Sequence, residues 1–458
     1  MAAPKFEDLP SRHARGTLAE TVNRVDVTVK LRVVTTILGG AARTRAIDEV
    51  DVIRAPTIRG HLRFWWRALF ADGRTGAALA AAEKAFWGGA TDTDDGQGGR
   101  SPVEVRVTVH SAPKPDTSDL GFNSKGFYAI WPARKTNSDP TAPRRPPGTV
   151  FTLSISAPSS AEAQLRATLQ AWILFGGYGG RTRRGCGALT VEGNELRETW
   201  LPADATSPVL SSLLRGAPRR DAKHTPTLRG ARLVVGAPTT ADGAWDTALD
   251  WMKGFRQGAP AAGLAPPHVA SFARESGADA KRPGRSNWPE ADKIRQLARL
   301  PPGAARWQHP PLHNARPVFP RAGFGLPIIG QFQGKDRLGN RYVDPEPSNY
   351  EIRWRTTGPR GKEMNRLASP VIVKALPLAD GRFAPCALWL HRAFPDGEVF
   401  VQGRGIGFQG APFDALVAQG DTARFTPLGA ASTKPAGQRL QSAFIDWLKA
   451  KPGVTEVP

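Results

Sequence analysis

The chain has 458 residues, enough for two or three domains whose cores need no disulfide staples. Its 62 Lys and Arg against 41 Asp and Glu leave a formal charge of +21 and a pI near 10.6, an excess that suits a polyanionic partner and makes nucleic acid the expected one. Cys186 and Cys386 are too few for a disulfide framework or a zinc site, and neither an apolar leader core in Met1–Gly16 nor a membrane-length apolar run is present, so the expectation is a soluble, cytoplasmic chain with no membrane partner.

Val25, Val27, Val29, Leu31 and Val33 alternate with Asp26, Thr28, Lys30 and Arg32, which predicts a half-buried antiparallel strand over 24–38. A helix over 56–70 follows, with Pro56 acceptable in its first turn. Ile58, Leu62, Trp65 and Leu69 make one apolar stripe on it, and Arg59, Arg63, Trp66, Arg67 and Phe70 make a second. Guanidinium planes and indoles stack on unpaired bases while positive charge tracks phosphate, so the second stripe is a candidate RNA surface. The plainer alternative is a packing helix with its tryptophans in the core and its arginines solvated. A second helix over 77–87 ends at Gly88-Gly89, and strands are expected at 103–109 and 150–156 with a short one at 127–131 between them. A helix over 161–175 and a strand at 188–191 complete the order β-α-β-β-α-β, the split βαβ unit of RRM-like folds. The first domain is placed at 17–195.

The stretches 202–226 and 257–289 are rich in Pro, Gly, Ala, Arg and Ser, and read as long basic loops. A linker is placed at 196–230 and a second domain at 231–458. In it a strand at 231–235 and a helix at 245–255 precede strands at 326–332, 352–356, 371–376 and 386–391 and a last helix at 437–449. The expected fold class is α+β, with two ferredoxin-like domains carrying long basic loop insertions.

Phe175-Gly-Gly-Tyr-Gly-Gly-Arg-Thr-Arg-Arg-Gly-Cys-Gly-Ala-Leu189 combines backbone that can approach a ligand closely with three arginines. It is no P-loop, because GxxxxGK[ST] is absent and the glycines follow a helix rather than precede one. The plainer alternative is a glycine-capped turn with exposed arginines.

Taken together, these motifs resemble the RAMP superfamily of CRISPR effector proteins, whose signature is a ferredoxin-like fold ending in a glycine-rich loop such as Gly176–Gly185. Within that superfamily, Pro56-Thr-Ile-Arg-Gly60 running into Leu62-Arg-Phe-Trp-Trp-Arg67 resembles the first subunit of the Cmr-type, type III-B, effector complex, as do Ser286-Asn-Trp-Pro-Glu290 with Ile294-Arg295, and Arg366–Lys374. The resemblance implies two packed ferredoxin-like domains and a non-catalytic subunit that holds the 3′ part of a guide RNA, contacts single-stranded target RNA, and assembles with neighbouring RAMP subunits in antiviral defence. It also implies an RNA-binding surface of Arg54, Thr57, Arg59, Arg63, Trp66, Arg67, Arg181, Thr182, Arg183 and Arg184, with no metal or cofactor. Cys186 departs from the pattern, since a bulkier apolar residue is expected there.

Elsewhere the signals are weaker. Lys281, Arg282 and Arg285 run into Trp288, so Arg285 and Trp288 are further candidates for clamping RNA. Arg353 and Arg355 share a strand face, read as a charged edge rather than a binding face. His61 is the one candidate acid or base on the Arg/Trp helix, without a second at a readable spacing. His309 and His313 lack a metal-ligand spacing, and Asp92, Asp94 and Asp95 lack the pattern of a calcium loop. The competing readings are a metal-independent guide-processing endoribonuclease of the same superfamily and a stand-alone RNA-binding protein.

Overall fold

The computed structural model describes residues 23–89 except 42 and 49, 101–217 except 122, 225–257, 294, 297–298, 319–330, 349–406 except 359, 360, 365 and 404, 410–413, 415, and 433–458 except 435. Mixed helices and antiparallel strands make it an α+β protein.

The first sheet contains β1 (Arg24–Val33), β2 (Glu104–Ser111), β3 (Val150–Pro158) and β4 (Leu189–Val191), in the order β2-β3-β1-β4. Val27, Val29, Leu31 and Val33 point inward from β1, while Asp26, Thr28, Lys30 and Arg32 face solvent, as period-two alternation requires. Helix α1 (Ala55–Phe70), followed by α2 (Gly76–Trp87), lies between β1 and β2, and α3 (Glu162–Phe175) lies between β3 and β4. The strand predicted to reach residue 38 stops at Val33. Beyond it Thr35 and Thr36 spend their hydrogen bonds on the glycine-rich segment, with Thr35 Oγ1 donating to Gly185 O at 2.6 Å and Thr36 O accepting from Gly187 N–H at 2.9 Å.

The second sheet repeats this order with β5 (Thr227–Val235), β7 (Val371–Pro377), β8 (Phe383–His391) and β10 (Thr455–Glu456), arranged β7-β8-β5-β10. Helix α4 (Ala241–Gln257) lies between β5 and β7, and α5 (Ala436–Lys449) lies between β8 and β10. Strands β7 and β8 are buried on both faces. Ile372, Leu376, Cys386 and Leu388 pack toward α1 and α3 in one apolar cluster, while Val371, Val373, Ala375 and Trp389 pack against α4 and α5 in another. The layers therefore run sheet, helices, sheet, helices. This explains why α3 is buried nearly all round from Ala171 to Phe175: it has a sheet on either side.

Insertions into the second half build a third sheet, in which β6 (Tyr350–Thr356) lies between Glu363–Met364 and β9 (Gly397–Gly403), with Ile328–Gly330 also pairing to it. Arg353 and Arg355 are thus on a central strand, not the expected edge. They are ion-paired to Glu351 and Glu363 and to Glu398, respectively. Two further expectations are corrected. Phe127–Ile130 is a helical turn continuing into a 3₁₀ turn, because Phe127 and Trp131 meet edge to face at 4.9 Å across a four-residue step while Ala129 and Ile130 are buried. The stretch 196–230 carries most of one short helix, Asn194–Trp200, and all of a second, Pro208–Leu214, whose Leu210, Leu213 and Leu214 join the first apolar cluster, and β5 begins at Thr227.

Candidate nucleic-acid interface

Helix α1 starts with proline in its first turn and no side-chain cap, and buries Ile58, Leu62, Trp65, Trp66 and Ala68. Steps of four, three and four residues put Pro56, Gly60, Arg63 and Arg67 in one outward row. Pro56 and Gly60 are exposed, and a Cβ at Gly60 would meet no atom within 4 Å. Arg63 and Arg67 both donate to Oε1 of Glu83 on α2, at 2.7 and 2.6 Å, with side chains still 39% and 34% exposed. Two guanidinium groups on one carboxylate leave one positive charge over, facing solvent. Arg59 instead turns to the carbonyl of Trp87. Burial and the like charge of Arg63 both hold its guanidinium below the ordinary range.

Trp66 is not on this row. It is 1% exposed and donates from Nε1 to Gln164 Oε1 at 3.1 Å, so its ring belongs to the core that α1 shares with α3. The expected Arg/Trp stripe is therefore split. Three arginines remain at the rim, and the indole is taken inward because an apolar face wider than one stripe is needed where α1 meets α2, α3 and the first sheet.

The glycine-rich segment lies alongside α1. Tyr178 Oη accepts the Arg54 N–H at 2.9 Å and also bonds Thr57, while its ring stands edge-on to His61 with centroids 6.1 Å apart. Burial lifts the Tyr178 phenol above its ordinary range, which keeps that hydroxyl protonated. Arg183 lies over the Phe64 ring at 5.4 Å. The two motifs, far apart in sequence, thus form one surface. Arg54 also faces Asp48 at 3.7 Å. Arg181 is exposed, makes no ion pair among the described residues, and sits at φ 57, a left-handed conformation that a side chain with a Cβ seldom adopts.

Much of the segment's backbone is already engaged. Gly180 N–H donates to Leu38 O at 2.6 Å, Tyr178 N–H to Gly187 O at 2.9 Å, Gly185 N–H to Thr182 O at 3.0 Å, and Gly187 N–H to Thr36 O at 2.9 Å. The close approach that the glycines permit is an approach of the chain to itself. Arg184 points into the second half, its Nη1 donating to Val371 O at 3.0 Å while its own carbonyl accepts from Trp245 Nε1 at 2.7 Å. Of the four candidates Arg181 to Arg184, Arg181 is the most open, Thr182 and Arg183 are half-buried, and Arg184 fastens the two halves together. Arg285 and Trp288 lie outside the described residues.

His61 is held neutral. Burial pushes its imidazole down to about 4, its ring stacks on Trp172 with centroids 6.5 Å apart, and its Nε2 is buried without a partner among the described residues. Cys186 is fully buried, with its thiol pushed up to about 12, and belongs to the second apolar cluster.

Lys374 ends the stretch Arg366–Lys374. It is 0% exposed on β7 and donates from Nζ to Gly176 O at 2.8 Å and Ile173 O at 3.2 Å. It thereby satisfies carbonyls at the C-terminus of α3, where helices leave acceptors unpaired and the dipole favours a cation. A lone lysine inside the apolar run Val371–Leu376 is the sequence signal that marks it. Tyr178 carried no such mark.

A family model described as the RAMP superfamily matches residues 30–190. The Cmr subunit Cmr1-1 of the CRISPR system of Pyrococcus furiosus is 30% identical over 149 residues, which cover 31% of this chain and 41% of that protein's length. Among solved structures, the crystal structure of Cmr1 from Pyrococcus furiosus in its apo form covers 94% of this chain and 98% of its own, with 15% identity and a TM-score of 0.47. A chain from the cryo-EM structure of the type III-B Cmr-beta complex bound to cognate target RNA covers 40% of this chain and 64% of its own, with 14% identity and a TM-score of 0.25.

Proposed function

We propose, from the match of residues 30–190 to the RAMP superfamily, that this chain is an RNA-binding subunit of a type III-B CRISPR ribonucleoprotein in the cytoplasm. In this reading it holds the 3′ part of the guide RNA, contacts single-stranded target RNA and docks against other RAMP subunits. Both halves are read as ferredoxin-like domains, supported by the strand order β2-β3-β1-β4 recurring as β7-β8-β5-β10. No helix among the described residues is long and apolar enough to cross a membrane.

The observation that carries the RNA reading is the row Pro56, Gly60, Arg63 and Arg67 beside Arg183. Its cations outnumber the carboxylates that meet them, and an open glycine lies at its centre. Arginine forks grip phosphate oxygens in pairs, and a backbone without a side chain lets a strand lie close. The subunit does no chemistry of its own. His61, the one acid or base candidate on this helix, is half-buried and neutral at neutral pH, which supports this.

Filter binding of single-stranded RNA across a salt series tests the proposal. The parent chain is expected to lose affinity steeply as salt rises, because arginine contacts displace counterions from phosphate. Gly60→Glu adds a carboxylate in open space on the row, so it should keep the fold, gain up to about 1 kcal/mol of helix stability and bind RNA at least tenfold more weakly. RNA binding by Gly60→Glu with the parent's affinity and salt slope would take the RNA path off this row.

A further inference from the structure

Resting on the RNA reading above, we infer that Arg183 and Arg392 form a phosphate-binding site across the boundary between the two halves, taking one phosphodiester of the bound RNA strand. Arg392 follows β8 directly. The pairing of β8 with β5 slips between Trp389 and His391, an irregularity of the kind that re-aims the next side chain. The side chain so aimed has Nε and Nη2 buried with no hydrogen-bond partner among the described residues. Burial of such donors is unfavourable unless a ligand meets them.

Arg183 approaches from the other half. It comes near enough for its like charge to add to burial in pushing the Arg392 guanidinium down to about 10. Burial also lowers Arg183. Neither forms an ion pair with a carboxylate among the described residues. Two desolvated guanidinium groups without a shared carboxylate are complementary to an anion with several acceptor oxygens, and Phe64 beneath Arg183 gives that anion an apolar floor.

The frame around the pair is built before any ligand arrives. The Arg183 loop is tied down by Arg184 Nη1 on Val371 O at 3.0 Å and by Trp245 Nε1 on Arg184 O at 2.7 Å. The Arg392 loop is held by Leu390 N–H on Pro370 O at 3.0 Å and by Phe394 stacked on Phe413, with centroids 5.7 Å apart and planes 8° from parallel. Donors fixed in advance lose little freedom on binding.

The test is filter binding of single-stranded RNA to the full chain across a salt series, with thermal melting of each variant alongside. Arg392→Gln should weaken binding about tenfold and reduce the salt slope by about one unit. Its melting temperature should not fall, since no protein partner of those donors is removed. Arg392→Lys keeps the charge but not the planar fork, so it should keep the slope while losing affinity, and it serves as the readout should the Gln variant fail to fold. Parent affinity and slope in a folded Arg392→Gln, or parent affinity in Arg392→Lys, would overturn the site. Sensitivity to Gly60→Glu in the same assay separates that outcome from failure of the RNA reading as a whole, which would leave the parent chain itself without salt-dependent binding.

Discussion

Gly187→Ala is expected to destabilise the chain by more than about 3 kcal/mol, near the upper end of single-substitution effects. Gly187 sits at φ +64, where a Cβ is penalised, and an added Cβ would stand 1.9 Å from the Tyr178 carbonyl oxygen. That oxygen is backbone and has little room to withdraw. Tyr178 N–H is bonded to Gly187 O, Gly187 N–H is bonded to Thr36 O, and the Tyr178 hydroxyl is tied to the start of α1. Relief of the clash would break the seam joining the glycine-rich segment to both β1 and α1. Gly60→Ala is the internal control: the same added methyl meets open space in a helix, and should stabilise by about 0.5–1 kcal/mol. Urea denaturation of both variants reads the contrast. A Gly187→Ala variant within about 1 kcal/mol of the parent would mean that this seam does not hold the fold together.

Lys374→Met is expected to remove a rise of stability with pH. Burial pushes the Lys374 ammonium from 10.5 down to about 7 in the folded chain, whereas the unfolded chain keeps the ordinary value. Between those pH values the unfolded state holds a proton that the folded state has released, so the group makes stability rise by about 1.4 kcal/mol per pH unit across the window. Below about 7 both states are protonated, and the cost of the buried charge is felt in full. Above 10.5 neither state is charged, and that cost is gone. The difference between parent and Lys374→Met should therefore grow in the parent's favour as pH rises from about 7, measured by denaturant unfolding at each pH. A difference that stays flat across the window would place the Lys374 titration at its ordinary pH, and the side chain in contact with water.

Much of the frame is legible in the sequence where one period dominates. The alternation in β1 and the three- and four-residue steps in α1 are set by which side chains must leave water; α1 has its expected bounds to within one residue, while β1 starts where expected and ends short at Val33. Phe127–Trp131 was ambiguous because aromatics four residues apart suit a helix turn as well as a short strand end. The third sheet was hidden for a different reason: its strands β6 and β9 come from insertions on either side of β7 and β8, and local pattern carries no information about such a pairing. In the site, glycine spacing marked a close backbone approach but could not say what approaches. Trp66 was misplaced because helical periodicity gives a direction on α1 but not the width of the face that α2 and α3 cover. Arg392 left no trace at all, since its direction depends on a slip in strand pairing.

Strands β7 and β8 of the second sheet have no face toward water, and this sets the cost of parting the two halves. Swinging one half away from the other would bare Ile372, Leu376 and Leu388 on one side and the Leu165, Leu169 and Ile173 surface of α3 on the other. Parting the halves therefore works against the hydrophobic effect, and the buried layer that α1 and α3 share with β7 and β8 keeps the arginines of the first half beside those of the second.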